Sequence, residues 1–164
     1  MAKKPSHKES QLQRQCVAWF NYQFPHLAPL FFAVPNGGYR NAAEAAIMKA
    51  EGVRAGVSDL IFNVPSGPYT QLAIEMKTES KGSCQSASQK RYQRYAEAAG
   101  IKYITCRSFE QFKTDVSEYV ARIEVLLNKR LYQLYLLEQQ EETLLAREQY
   151  KKRCNTSTNI PTKL

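Results

Sequence analysis

The sequence predicts an α/β domain that continues into a long helical extension at its C-terminal end. Three observations carry that expectation. The chain has 164 residues, 43% hydrophobic and 23% charged, which supplies one core of ordinary size. Up to about residue 106, stretches with helical periodicity alternate with short apolar runs bounded by turn residues. From Phe109 to Lys152 there is neither glycine nor proline, and helix formers dominate.

The elements follow in order. Over residues 9–23, Leu12, Cys16, Trp19 and Phe20 recur at helical steps on one face, and Pro25 ends the helix. Residues 30–34, Leu-Phe-Phe-Ala-Val, read as a short buried strand, and Pro35-Asn36-Gly37-Gly38 as a turn. Asn41 is placed to cap a second helix that closes near Gly52. Residues 57–64 and 69–77 are strand-like, and Pro65-Ser66-Gly67-Pro68 between them predicts a hairpin. In the second strand Leu72, Ile74 and Met76 alternate with Ala73, Glu75 and Lys77, so the charged pair shares one face. A helix over 86–99 stops at Gly100, residues 101–106 form a further strand, and Ser108 caps what comes next. Along 109–152 the apolar positions keep a helical period beyond what a small sheet can cover. That surplus predicts either an arm folded back on its own domain or a dimer interface, and we expect a homodimer through this C-terminal helix.

Composition narrows the function. The formal net charge is +8. Residues 1–107 hold 14 Lys and Arg against 7 Asp and Glu, whereas residues 108–164 hold 9 against 8. The positive field therefore sits on the first two thirds of the chain and suits a polyanionic partner. The longest apolar run, residues 27–34, is interrupted by Pro29 and is far too short for a membrane span. The basic N-terminus leads into Glu9-Ser10-Gln11 and not into an apolar stretch, so the expectation is no membrane, no secretion and a cytoplasmic location. Cys16, Cys84, Cys106 and Cys154 have no CxxC spacing and read as reduced thiols. With His7 and His26 as the only histidines, a zinc site or a Ser-His-Asp triad lacks material. Any metal should be a hard ion held by carboxylates.

The sharpest chemical feature is Asp59 at the start of one hairpin strand, with Glu75 and Lys77 on the next. Paired antiparallel strands bring such side chains within roughly 5 to 8 Å. Two carboxylates that close repel unless a cation lies between them, and magnesium suits oxygen donors and a phosphate substrate. A lysine two residues along the same face can offset developing negative charge. Spacing alone does not single this pair out, since Glu79-Ser80-Lys81 repeats it. Context does: Glu75 and Lys77 lie on an apolar strand opposite an acid, and the second pair lies in a polar loop.

These residues resemble the VRR-Nuc group of the PD-(D/E)xK nuclease superfamily. The likeness spans residues 9–120 and rests on blocks in order: Glu9-Ser10-Gln11-Leu12-Gln13 with Trp19; Val34-Pro35-Asn36-Gly37-Gly38 with Arg40; Gly52 followed by Gly56-Val57-Ser58-Asp59-Leu60; Ile74-Glu75-Met76-Lys77; and Ser86-Ala87-Ser88-Gln89. The resemblance implies a restriction-endonuclease-like αβββαβ core, a mixed sheet flanked by helices. It also implies a magnesium-dependent deoxyribonuclease, with manganese able to substitute, acting on structured or branched DNA such as junctions or flaps. Asp59 and Glu75 look like metal ligands, Lys77 like the catalytic lysine, and the Met76 carbonyl and Glu9 like further ligands. Gln89 resembles the helix glutamine that contacts the lysine or the phosphate. Ser58 stands where the superfamily usually has proline.

Weaker candidates surround this set. Gln13 could share the role of Glu9. Asn36 and Arg40 could hold a phosphate, and Lys90, Arg91 and Arg94, interleaved with Tyr92 and Tyr95, could track a DNA backbone. Trp19 reads as core. The expected organisation is a basic tail at 1–8, a VRR-Nuc-like domain at 9–120, a helical extension at 121–154 and a disordered tail at 155–164. Two other classes compete: a nucleic-acid-binding module that does not cut, and an interaction protein organised by the long helix.

Overall fold

In the computed structural model, residues 7–35, 42–79 and 83–157 are described. The chain divides into two compact units, Met1–Val125 and Leu126–Leu164. In the first, helix α1 (His7–Gln23) leads through a short 3-10 helix (Pro25–Leu30) into strand β1 (Phe31–Ala33). There follow α2 (Ala42–Ala50), β2 (Leu60–Phe62), β3 (Leu72–Met76), α3 (Ala87–Ala98), β4 (Lys102–Cys106) and α4 (Phe109–Val120). Helix α5 (Val125–Ser157) makes up the described part of the second unit.

The strands form one mixed sheet in the order β1-β2-β3-β4. β1 and β2 pair antiparallel, as do β2 and β3 with Leu60 opposite Ile74, while β3 and β4 run parallel with Glu75 opposite Thr105. This is the expected mixed sheet flanked by helices. The hairpin is present, but its strands are shorter than the apolar runs suggest. At the near end Asp59 turns its own side chain into the backbone ladder, and at the far end Ser66 and Tyr69 close a tight turn through reciprocal backbone bonds of 2.9 and 3.0 Å.

Alternation along the strands gives the sheet two different faces. On one, Phe62 contacts Phe20 of α1 and Tyr119 of α4, and Phe31 contacts Phe112, so edge-on and tilted aromatic rings fill the layer between sheet and helices. Leu72 and Ile74 lie opposite Phe62 and Leu60 and share that face. On the other, Ile61, Ala73, Ala96 and Tyr103 form a smaller cluster under α3, joined by Val34, Tyr92 and Ile101. All five residues of β3 are buried, so its charged face is not the solvated one of a surface strand.

Helix α3 begins at a capping box in which Ser86 and Gln89 exchange bonds, and ends before Gly100, whose φ of +78° suits glycine. The long helix expected from residue 109 breaks over 121–124, although nothing in its sequence demands a break. Tertiary bonds impose it. Ser66 Oγ donates to the Tyr119 carbonyl at 2.5 Å, Tyr119 Oη donates to the Val64 carbonyl at 2.7 Å, and Gly67 N donates to the Arg122 carbonyl at 3.2 Å. Buried Ile123 then turns into the core. At the other end α5 runs through Ser157, into the segment expected to be a disordered tail, and the rest of that segment lies outside the described residues. So do the expected cap Asn41 and the basic tail up to residue 6. No helix among the described residues is long and apolar enough to cross a membrane.

Candidate active site

The site forms where the C-terminal end of β3 meets the start of β2. One position beyond Leu60 opposite Ile74, the antiparallel register sets Asp59 opposite Glu75. Asp59 does not continue the strand. Its Oδ2 accepts the Met76 amide at 2.8 Å, which locks the carboxylate over the edge of β3. Val34 N donates to the Asp59 carbonyl at 2.9 Å, so the residue is held from both sides.

Glu75 is fully buried on the α3 face of β3. Gln89 Nε2 and Lys77 Nζ both donate to its Oε1, and Tyr103 Oη donates more weakly to Oε2 at 3.4 Å. Burial, and secondarily the neighbouring Asp59 charge, pushes the Glu75 carboxyl up to about 7, with Lys77 opposing the shift. Asp59 is raised as well, chiefly by burial and less by the Glu9 charge. Two acids held together at a cost in ionisation are what a cation would relieve. Lys77 supplies the positive charge present: its ammonium lies between the Glu75 carboxylate and the Met76 carbonyl, the latter at 3.2 Å.

Glu9, in the first turn of α1, reaches the rim of this cluster. Its Oε1 accepts from Thr78 N and Ser83 Oγ, each at 3.4 Å, just beyond Lys77. Gln13 is half-buried a turn further along the same helix. Gln89 is brought to the site, but against Glu75 and not against Lys77. Its amide oxygen meanwhile accepts from Ser86 N at 2.8 Å, so one side chain both caps α3 and orients the buried acid. Ser58 is buried, and its hydroxyl donates to the Leu60 carbonyl at 3.4 Å in the turn that carries Asp59. Trp19, expected in the core, is half-buried and packs edge-on against Phe24, Phe109 and Phe112.

Lys90, Arg91 and Arg94 are exposed along α3. Tyr92 turns inward and Tyr95 is exposed, with the Arg91 guanidinium 5.9 Å from its ring centroid. Asn36 and Arg40 lie outside the described residues.

Three contributors escaped the sequence reading. Tyr103 meets Glu75 because β4 is parallel to β3, a pairing that alternation alone does not reveal. Gln85 donates to Tyr103 Oη at 3.2 Å and to Gln93 at 2.9 Å, extending the network away from the acid. Arg107 donates to the carbonyls of Thr78 and Ser83 at 2.9 and 3.1 Å, clamping the two ends of the loop that Glu9 touches. Gly56 completes the frame: at φ +90°, a Cβ built there would stand 2.4 Å from the Ser88 carbonyl carbon, so its lack of a side chain lets the Asp59 turn press against the first turn of α3.

No family model matches the sequence, and no curated protein does. Among solved structures, one described as a VRR_NUC domain protein is similar with a TM-score of 0.61 and 24% identity, over 71% of this chain and 90% of that one. A second, described as a VRR_NUC domain, gives a TM-score of 0.43 and 20% identity over 68% and 97% of the two chains. With the mixed four-stranded sheet, its flanking helices and the placement of the acids at the end of β3, the chain has the restriction-endonuclease-like fold of a VRR_NUC domain protein.

Proposed function

We propose that this chain is a metal-dependent nuclease that hydrolyses phosphodiester bonds in DNA, with structured or branched DNA as its substrate. The observation that carries the reading is the buried Glu75, held beside Asp59 and Lys77 on the central strand of a VRR_NUC-type fold. A structural role alone gives no reason to bury a carboxylate where its ionisation is opposed by burial and by a second acid. The basic surplus in residues 1–107 favours a polyanionic substrate.

Among the described residues no three His, Cys, Asp and Glu side chains gather into a ready-made cage. The donors at the site are nevertheless those of a hard ion: the carboxylates of Asp59 and Glu75 and the Met76 carbonyl, with Glu9 at the rim. These residues would hold magnesium, or manganese in its place, which supplies polarisation of the phosphate and acidification of water. The chain's own groups do the rest. The Met76 amide fixes Asp59, and Gln89 and Tyr103 fix Glu75, so neither acid must reorganise. Lys77, one residue beyond the end of β3, offsets the negative charge that grows on the phosphate oxygens. Lys90, Arg91 and Arg94, exposed along α3, would contact backbone phosphates.

The test is cleavage of labelled duplex, flap, four-way-junction and single-stranded DNA with magnesium, manganese or EDTA, beside Asp59→Asn and Glu75→Gln. Metal-dependent cutting lost in both variants is expected. Retention of DNA without cutting, the same in the variants and the native chain, would overturn the reading in favour of a binding module.

A further inference from the structure

Helix α5 is the described part of a unit of its own, and none of its residues from 126 to 152 is buried. Large apolar side chains stand open along it, among them Leu134, Leu137 and Leu144, each more than half exposed at 53, 57 and 58%. A single helix with apolar residues on several sides is stable in water only when one of those sides is covered. One face has the spacing for that: Leu127, Arg130, Leu134, Leu137, Glu141 and Leu144 follow at steps of 3, 4, 3, 4 and 3 residues, the repeat of a coiled-coil seam.

We propose that α5 pairs with the α5 of a second copy of this chain as an antiparallel two-stranded coiled coil centred between Tyr135 and Leu136. In that register Leu127 of one copy lies across from Leu144 of the other, Arg130 across from Glu141, and Leu134 across from Leu137. The two-fold axis repeats every pair, so all six seam positions are matched, four leucines with leucines and both charges with their opposites. Charge decides the orientation. Parallel, in-register helices would set Arg130 on Arg130 and Glu141 on Glu141, and like charges in a partly desolvated seam repel. Charge also decides the register, because slipping the antiparallel pair by one heptad sets Glu141 against Leu137 in one direction and Arg130 against Leu134 in the other. A polar pair inside an apolar seam specifies alignment in this way at some cost in stability. The pairing is independent of the nuclease reading: either can fail with the other intact.

Sedimentation equilibrium of the full chain at micromolar concentration tests it. The native chain is expected at twice its 18.8 kDa mass. Arg130→Glu alone, or Glu141→Arg alone, turns two attractive contacts per dimer into repulsive ones and should raise the dissociation constant by about 10- to 100-fold. The combined Arg130→Glu/Glu141→Arg chain should recover to within about threefold of native, since the swap restores both pairs only in the antiparallel register. Recovery also separates pairing from loss of fold, because the combined chain carries both substitutions. A native monomer throughout the concentration range, or a swap that binds no better than the single variants, would overturn the proposal.

Discussion

Ionising Glu75 should destabilise the metal-free protein, and pH is the perturbation that exposes it. The group titrates near 4.5 when solvated and near 7 in the folded chain. Between those values the native state binds the proton that the unfolded state has released, so stability falls as pH rises through the window and levels off above it. At about 1.36 kcal/mol per pH unit, the 2.5-unit difference corresponds to about 3 kcal/mol. Glu75 is fully buried, so solvent screening does not reduce this figure appreciably. The assay is urea denaturation in EDTA at pH 5 and pH 8 for the native chain and for Glu75→Gln. Subtracting the variant's curve removes every titration the two chains share. Because pH 5 already lies above the solvated value, the native chain should lose about 2 to 3 kcal/mol more than the variant between the two pH values. A difference that stays flat, or that changes in the native chain's favour, would refute the account of a carboxylate buried against its own charge.

Other perturbations follow from the same geometry. Gly56→Ala places a Cβ 2.4 Å from the Ser88 backbone at φ +90° and should cost about 2 to 3 kcal/mol in a denaturant titration. Tyr103→Phe removes the hydroxyl that bridges Gln85 and Glu75, and should cost about 1 kcal/mol of stability while slowing DNA cleavage with DNA binding unchanged. Phe112→Ala opens the aromatic layer between sheet and helices and should lower stability by about 3 to 5 kcal/mol, measured by urea unfolding. Lys77→Met should reduce DNA cleavage by at least about 100-fold in single-turnover assays without lowering affinity for the substrate.

Local signals carried much of this architecture. The spacing of Cys16 and Phe20, the alternation of β3, the Ser108 cap and the Pro65-Ser66-Gly67-Pro68 turn each depend on near neighbours, and the structure has the elements they announce. Asp59, Glu75 and Lys77 were legible together because a hairpin converts a separation in sequence into a cross-strand pair. What depended on distant parts was not legible. The break after α4 is imposed by Ser66 and Gly67, more than fifty residues upstream, against a run of strong helix formers. Tyr103 reaches Glu75 only through a parallel pairing, and parallel neighbours leave no turn in the sequence to betray them. Gln89 was found by resemblance, but its double duty as a helix cap and as a donor to Glu75 required the position of α3 relative to β3.

The central place of β3 also sets when the site can come into being. Its antiparallel neighbour β2 is close in sequence and can zip up early, whereas its parallel neighbour β4 must wait for α3 to cross over. During refolding Asp59 and Glu75 should therefore come side by side before Tyr103 reaches them, and that edge is sealed only when β4 docks. In the finished molecule the order reverses under thermal fluctuation. The amides of β3, bonded on both sides, should exchange with solvent among the slowest in the domain. The first turn of α1 should fray fastest, releasing Glu9 from Thr78 while the rest of the acid cluster stays closed.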